Sequence, residues 1–300
     1  MPPAHNPAAL SPVIAGAWRL AEWGWTAQQR LAWIEGNLEL GVTSFDHAAL
    51  YGGGDDVESL FGQALALRPS LRDRVQLVSQ CGVGLLNPAR PGGPATARAK
   101  PFDSSAAHIR ASVEQSLRAL RTDHLDLLLI HWSDAPMDVD AMAETLATLR
   151  AEGKVLHFGA SQLRPAQLAL LHSRIALTTH QLELSPLHRD PLHDGTLDQC
   201  LDLGLRPMVW SPLAGGRLFT ADDAQSRKLR HTLAAMASAL GVTVITLVIA
   251  WVMCHPSAPL PILGARRITV AREAMAAQSL QLDDAAWRRI CAAAAGPAVA

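Results

Sequence analysis

Apolar segments alternate with amphipathic segments along nearly the whole chain. Short runs rich in Val, Ile and Leu predict buried strands, whereas apolar residues spaced three or four positions apart predict helices that bury one face. The pattern predicts eight strands, at residues 13–18, 43–48, 75–81, 125–131, 155–161, 177–184, 206–211 and 260–263.

Helices are predicted between these strands, and several carry a polar residue that is suited to cap them. Thr26 is expected to cap the first helix, which ends at Gly41, and Asp103 or Ser104 is expected to cap the third. The predicted helices cover approximately residues 26–40, 57–67, 103–121, 139–152, 164–173, 196–203, 225–240, 242–254 and 270–277, with a last amphipathic helix from 283.

Strands that alternate with helices imply parallel pairing through right-handed crossovers. Eight such units, with no break in composition, predict a (β/α)₈ TIM barrel that forms a single domain over residues 1–300. A doubly wound sheet is the alternative, but the turn after the first strand lacks the Gly-x-Gly-x-x-Gly pattern typical of that fold. Residues 82–102 are rich in Gly and Pro and predict a long loop.

The composition is that of a globular protein with a large apolar core and no strongly charged surface. An apolar fraction of 49% suffices for a large core, and a net charge of −1 without a long basic run argues against nucleic acid or an anionic membrane as a partner. The longest apolar run, residues 242–254, is shorter than the roughly 20 residues of a membrane span and predicts a buried helix. Four widely spaced cysteines predict buried thiols, and residues 1–10 show no signal pattern. We expect a cytoplasmic protein, a monomer or weak homo-oligomer.

Candidate chemistry is concentrated at residues 41–54. Asp46 lies in a predicted strand among apolar neighbours, and Tyr51, the only tyrosine, follows in a glycine-rich loop. A carboxylate at a strand end with a phenol beyond it suits proton transfer, although a buried aspartate and a packed tyrosine are an equally good interpretation of this stretch alone. Active sites of such barrels lie at the carboxyl ends of the strands. Other polar residues at those predicted ends are Gln80, His131, Ser161, Gln181, Glu183, Ser211 and the turn at 264–267.

Several ordered motifs resemble the aldo-keto reductase family, particularly its bacterial NADPH-dependent oxidoreductases, over approximately residues 13–289. The resemblance rests on Gly41-x-x-x-Phe45-Asp46-x-Ala48-x-x-Tyr51-Gly52, Leu125-Asp126 through His131-Trp132, Gly153-Lys154-Val155-x-x-Phe158-Gly159-x-Ser161, His180-Gln181-x-Glu183-x-Ser185-Pro186, Trp210-Ser211-Pro212-Leu213-Ala214-Gly215-Gly216 and Pro261-Ile262-Leu263-Gly264-Ala265-Arg266.

The resemblance implies a role for each matching residue. Tyr51 would protonate a carbonyl oxygen, His131 would orient the substrate, and Asp46 would tune Tyr51 through a lysine. Trp18 and Trp132 would line the substrate cleft together with Tyr51 and His131. Arg266, with Arg267 or Arg272, would bind a 2′-phosphate and so favour NADPH; a solvated helix start is the alternative interpretation. The implied cofactor residues are Trp18, Asp46, Ser161, Gln162, Gln181, Trp210, Ser211, Pro212, Leu213, Ala214, Gly215, Gly264, Arg266, Val270 and Glu273.

The main departure from the family pattern is Gln80, which stands where the family has a lysine. A tyrosine has an ordinary pKa of ~10, and a nearby ammonium group lowers that pKa. Gln80 can donate a hydrogen bond but carries no charge, so we expect Asp46 to lose its counter-charge and proton release from Tyr51 to weaken. Gln162 stands where the family commonly has an asparagine or an arginine, and His180 replaces the family's usual asparagine. His180 is interpreted as structural in preference to an alternative proton donor.

The predicted function is the reduction of aldehydes or ketones to alcohols by hydride transfer, with Tyr51 as proton donor and with turnover weakened by Gln80. The alternative is an NADPH-binding sensor or regulatory protein with little turnover. A metal-dependent barrel hydrolase is a third possibility, but the spacing of His188, Asp190 and His193 matches no zinc pattern, and no metal is predicted.

Overall fold

Eight parallel strands close into a barrel in chain order, which confirms the predicted (β/α)₈ fold. The computed structural model describes residues 8–48, 56–82, 103–131 and 138–295. Each strand pairs with its neighbours in sequence, and the first pairs with the last. The strands are β1 Ile14–Gly16, β2 Ser44–Asp46, β3 Gln76–Cys81, β4 Leu125–His131, β5 Val155–Ser161, β6 His180–Glu183, β7 Met208–Trp210 and β8 Leu260–Leu263.

Helices surround the barrel at the predicted positions, with ends shifted by a few residues, and one short helix, Arg217–Thr220, was not predicted. The cap of the third helix is a correction: Ser105, not Asp103 or Ser104, accepts the hydrogen bond of the His108 backbone N–H at 3.3 Å. The helices are α1 Ala27–Glu39, α2 Val57–Leu65, α3 Ala106–Leu120, α4 Val139–Ala151, α5 Pro165–His172, α6 Thr196–Asp202, α7 Arg217–Thr220, α8 Ala224–Leu240, α9 Val244–Met253, α10 Ile268–Ala276 and α11 Asp284–Ala294.

The apolar core has two layers, as strands covered on both faces require. One layer lies between strands and helices and includes Phe45, Leu128 and Phe158. The other fills the inside of the barrel, where Leu127 and Leu129 of β4 meet apolar side chains of the other strands. Because side chains alternate along a strand, membership of the inner layer fixes which residues of each strand point inward. The rest of the inner layer consists of Ala8, Leu10, Ile14, Val78, Met208, Leu260 and Ile262.

The cysteines agree only in part with the prediction of buried thiols. Cys81 and Cys200 are buried, but Cys254 is exposed and Cys291 is half-buried. Cys254 is exposed because α9 ends one residue earlier, at Met253, and the chain turns to the surface there.

Helix α9 has the most apolar sequence of the described helices, and α8 directly precedes it. Among the described residues, no single helix is long and apolar enough to cross a membrane. Only this pair together meets that test, and its two members are bent by 95°. Every residue from Thr246 to Val252 is buried, so α9 is the buried helix that the apolar run predicts.

Candidate active site

The interior of the barrel is lined by apolar side chains in its middle and by polar side chains at its carboxyl end. Val78 of β3 belongs to the inner apolar layer, so Gln80, two residues later, also points inward. The same alternation places His131 inward from Leu129, because both lie on β4. The strand register then joins His131 to Ser161 and Ser161 to Gln181 as neighbours across β4, β5 and β6. Residues predicted from separate motifs are therefore brought to one rim.

Asp46, Gln80 and Gln181 form a buried hydrogen-bonded ring across the mouth of the barrel. Gln181 donates from Nε2 to Asp46 Oδ1 at 3.1 Å. Gln80 donates from Nε2 to Gln181 Oε1 at 2.9 Å and makes a longer contact with Asp46 Oδ1 at 3.5 Å. All three residues are at most 5% exposed. Gln80 therefore contacts both Asp46 and Gln181, and its shorter hydrogen bond goes to Gln181.

Burial raises the pKa of the Asp46 carboxyl to about 7, and the hydrogen bonds from Gln181 and Gln80 offset only part of that rise. A cation in the ring would favour the ionised carboxylate, but both partners are neutral amides. Both protonation states of Asp46 are therefore accessible near neutral pH.

The substrate residues are described only in part. Trp18 lies two residues beyond β1, at the rim, and is 48% exposed. His131 ends β4 and is half-buried. A side chain at Gly82 would come within 2.7 Å of the His131 carbonyl oxygen, so only glycine allows the end of β3 to lie this close to β4. Tyr51 and Trp132 lie outside the described residues.

The loop after β7 has an unusual backbone. Ser211, Ala214, Gly215 and Gly216 all have positive φ angles, between 50° and 93°. Non-glycine residues with positive φ are uncommon and cluster at functional sites. Successive turns of this kind direct backbone N–H groups toward one point, where they can bind an anion. Pro212 and Ala214 are buried, so this loop offers its backbone to a ligand rather than those two side chains.

The turn after β8 carries two exposed arginines, Arg266 and Arg267, and a third, Arg272, is exposed on α10. None of them forms an ion pair with a carboxylate of the described residues. Arg266 lies 5.3 Å from the centre of the Trp25 ring, a stacking contact that holds its guanidinium in place. Trp33 of α1 donates from Nε1 to the carbonyl oxygen of Ala265 at 3.0 Å and anchors the same turn.

The remaining predicted cofactor residues lie around these two segments. Gly264 is exposed directly after β8, and Val270 and Glu273 lie half-exposed on α10. Trp210 and Leu213 are half-buried at the end of β7 and in its loop. Sequence reasoning missed Trp25 and Trp33, the two residues that hold the arginine turn. No motif marks them, because their contacts reach across the chain from α1 to the end of β8.

The position of His180 does not fit a proton donor, the alternative role that the sequence left open. It neighbours Gln181 on β6 and therefore points to the opposite side, away from the barrel mouth. Its Nε2 accepts a hydrogen bond from the Leu163 backbone N–H at 3.0 Å, and burial lowers its pKa to about 4. A neutral histidine outside the mouth is structural, not a proton donor to a substrate there.

The acidic and histidine residues near β6 do not assemble into a metal centre. His188 lies 4.0 Å from Glu183, a long contact. Among residues 8–48, 56–82, 103–131 and 138–295, no three His, Cys, Asp or Glu side chains are arranged to hold a metal ion.

Comparison with known proteins gives concordant results over nearly the full chain. The model of the aldo/keto reductase family matches residues 12–295. The oxidoreductase YdhF of Escherichia coli is 46% identical, over 96% of this chain and 94% of that protein. A 6-dehydroglucose reductase of Agrobacterium fabrum is 37% identical, over 97% and 96%. An aldo/keto reductase from Klebsiella pneumoniae, solved in complex with NADP and acetate, superposes with a TM-score of 0.75 at 28% identity, over 94% of this chain and 90% of that one.

Proposed function

Because the chain belongs to the aldo/keto reductase family of oxidoreductases, we propose that it is a single-domain, NADPH-dependent reductase of aldehydes or ketones. One observation carries the proposal. The ring of Asp46, Gln80 and Gln181 lies at the same rim as the positive-φ loop after β7 and the arginine turn after β8. A proton-handling site and a cradle for a dinucleotide thus share one face of the barrel.

The residues at this rim fit NADPH part by part. Ser161 and Gln181 offer a hydroxyl and an amide to the carboxamide of a nicotinamide ring. The backbone N–H groups of the loop at 211–216 suit a pyrophosphate. Arg266, stacked on Trp25 and without a carboxylate partner among the described residues, suits the 2′-phosphate, because a guanidinium pairs with phosphate through two hydrogen bonds. The relative from Klebsiella pneumoniae, with its bound NADP, supports the same choice.

When bound, the nicotinamide supplies the hydride, and the protein has to orient the carbonyl and provide a proton. In the proposed mechanism, His131 donates a hydrogen bond to the carbonyl oxygen and fixes its direction. Tyr51 gives its phenolic proton to that oxygen as the hydride reaches the carbon, so that an alcohol forms. Trp18 and Trp132 shield the substrate from water. The name of the Agrobacterium relative suggests sugar aldehydes as one substrate class for testing.

Gln80 sets the expected rate. The ring of Asp46, Gln80 and Gln181 contains no ammonium group to offset the Asp46 charge that disfavours the phenolate of Tyr51, so proton release is difficult. We therefore expect slow turnover compared with a relative that has lysine at this position.

Gln80→Lys should raise kcat for aldehyde reduction by roughly tenfold, because the returned charge lowers the pKa of the tyrosine. Gln80→Met, which matches the side-chain length without a charge, is the control and should not raise activity. Tyr51→Phe should abolish turnover. The measurement is NADPH oxidation with a panel of aldehydes and ketones that includes sugar aldehydes. A panel without any turnover, in the wild type and in Gln80→Lys alike, contradicts the reductase proposal.

A regulatory NADPH-binding protein is the second candidate, and the neutral ring around Asp46 favours it. In that case NADPH binds with micromolar affinity or better, while Tyr51→Phe and Gln80→Lys leave the negligible turnover unchanged. The same assays therefore separate the two candidates.

A further inference from the structure

The hydrogen bonds of the Asp46 ring have a direction. Gln80 donates to Gln181, and Gln181 donates to Asp46. Gln181 therefore has its Nε2 toward β2 and its Oε1 toward β3. An ionised carboxylate can only accept hydrogen bonds, so this orientation of both amides is the one that a charged Asp46 selects.

We propose that Gln80 is a positioning residue that sets the amide orientation of Gln181, and that a proton on Asp46 reverses this orientation and weakens NADPH binding. The inference rests on the proposed function, because it assigns Gln181 to the nicotinamide carboxamide. It goes further by giving Gln80 a role of its own, other than that of a missing cation.

Protonation converts Asp46 from an acceptor into a donor at one oxygen. Both amides contact Oδ1 of Asp46. A proton on Oδ1 needs an acceptor, and the Gln181 oxygen reaches it only if the amide rotates by half a turn. Gln181 Nε2 then faces Gln80, whose amide has to present its oxygen in turn. The ring thus has two hydrogen-bonded arrangements, and one proton selects between them.

The orientation matters because the nicotinamide carboxamide is itself both donor and acceptor. Its affinity depends on which end of the Gln181 amide faces it. All three members of the ring are buried, so a mismatched pair cannot recover its hydrogen bonds from bulk water, and a buried unpaired polar group is costly.

Among the described residues, few charged or titratable groups surround Asp46. Gly16 of β1, its register partner, has no side chain, while β3 and β6 contribute the neutral Gln80 and Gln181. His131 at the end of β4 is a titratable residue on the same rim. Burial raises the pKa of Asp46 to about 7, which places the change within an accessible pH range. The 2′-phosphate of NADPH, whose second pKa is ~6, titrates in the same range.

A double-mutant cycle on NADPH affinity tests the positioning role. Gln80→Met and Gln181→Met should each raise the NADPH Kd about three- to tenfold, and Gln80→Met should have no further effect in the Gln181→Met background. Gln76→Met removes a part-buried amide from the other end of β3, where it bonds Thr43 and Ser44, and should leave the Kd unchanged. Additive effects of Gln80→Met and Gln181→Met overturn the proposal.

The pH profile of NADPH binding tests the proton switch without depending on the folding of a β3 variant. Between pH 6 and pH 8.5, wild-type affinity should rise severalfold more than that of Asp46→Asn, in which the titrating group is absent. The difference between the two profiles removes the contribution of the phosphate and of every other titrating group that the two proteins share. Identical profiles overturn the switch while leaving the reductase proposal intact, whereas an absence of NADPH binding overturns both.

Discussion

At the scale of single residues, the site concentrates conformations that the sequence does not favour. Gln162 follows Ser161 at the end of β5 and has a φ of 58°. Its backbone N–H donates to the Gln181 carbonyl oxygen at 2.9 Å, which holds it in this conformation. Left-handed backbone costs roughly 1–2 kcal/mol for most residues but is readily adopted by asparagine. Glutamine is therefore a strained choice at this position.

Gln162→Asn should stabilise the protein by roughly 0.5–1 kcal/mol, because asparagine tolerates the left-handed conformation. Urea unfolding measures the change. Gln115→Asn, at an exposed position inside α3, is the matched control and should be neutral or slightly destabilising, because asparagine is the poorer helix former. If Gln162→Asn and Gln115→Asn destabilise the protein equally, the backbone at Gln162 is not strained.

The sequence predicted most of the polar residues that lie at the rim of the barrel, but it did not predict which of them hydrogen-bond to each other. The ends of the predicted strands pointed to Asp46, Gln80, His131, Ser161 and Gln181. The sequence also suggested that Gln80 acts on the Asp46 side of the site. The structure shows that the shorter hydrogen bond of Gln80 goes to Gln181. This contact depends on the distance across the barrel between β3 and β6.

At the scale of elements, one arginine ties β3 and β4 together at the end of the barrel opposite the site. Arg72 donates to Thr122 Oγ1, to the carbonyl oxygens of Val75 and His124, and to Asp126 Oδ2, at 2.7–3.0 Å. The same Asp126 oxygen accepts the backbone N–H of Leu77 at 2.8 Å. The side chains of Arg72 and Asp126 are each only 16% exposed, so the pair is shielded from water.

Arg72→Met should destabilise the protein by roughly 2–4 kcal/mol, because it leaves a shielded carboxylate and two carbonyl oxygens without their donor. Arg72→Lys should recover only part of the loss, since an ammonium group cannot reach all four acceptors. NADPH affinity should not change. Arg227→Met, which breaks a solvent-exposed pair with Asp222, is the control and should cost almost nothing. Equal losses in Arg72→Met and Arg227→Met would contradict this account.

Helix ends were the best-predicted local feature where a capping side chain stands before an apolar run. Thr26 caps α1 in a reciprocal capping box with Gln29, and Asp283 caps α11. The cap of α3 was misassigned because Asp103, Ser104 and Ser105 all suit an N-cap. Only the position at which the helix meets the barrel selects Ser105 among them.

At the scale of the whole molecule, four buried titratable groups oppose one another in the pH dependence of stability. Burial raises the pKa values of Asp46 and Glu58 to about 7 and lowers those of His47 and His180 to about 4. The folded carboxyls keep protons that the unfolded chain releases above pH ~4, so they cause stability to fall as pH rises from about 4 to 7. The two histidines stay unprotonated in the folded protein at pH values at which the unfolded chain binds protons, below pH ~6.5. They therefore cause stability to fall as pH drops from 6.5 to 4.

The free energy of unfolding of the wild type should therefore change little between pH 4.5 and 6.5. In the double variant Asp46→Asn with Glu58→Gln, only the histidines remain, and stability should increase with pH by roughly 1–3 kcal/mol per unit over this range. Urea unfolding at pH 4.5, 5.5 and 6.5 provides the comparison. The exposed carboxylates are common to both proteins and drop out of the difference. If the free energy of unfolding changes with pH in the same way in both proteins, the buried carboxyls do not offset the histidines.

The sequence by itself determined the eight strands in order, most of the helices and the presence of a neutral amide, Gln80, at the end of the third strand. These features are local, because alternation, helical spacing and caps act over a few residues. Tertiary structure alone decided which polar atoms meet. The hydrogen bonds of the Asp46 ring join positions 34, 101 and 135 residues apart, and only closure of the barrel sets the distances between them.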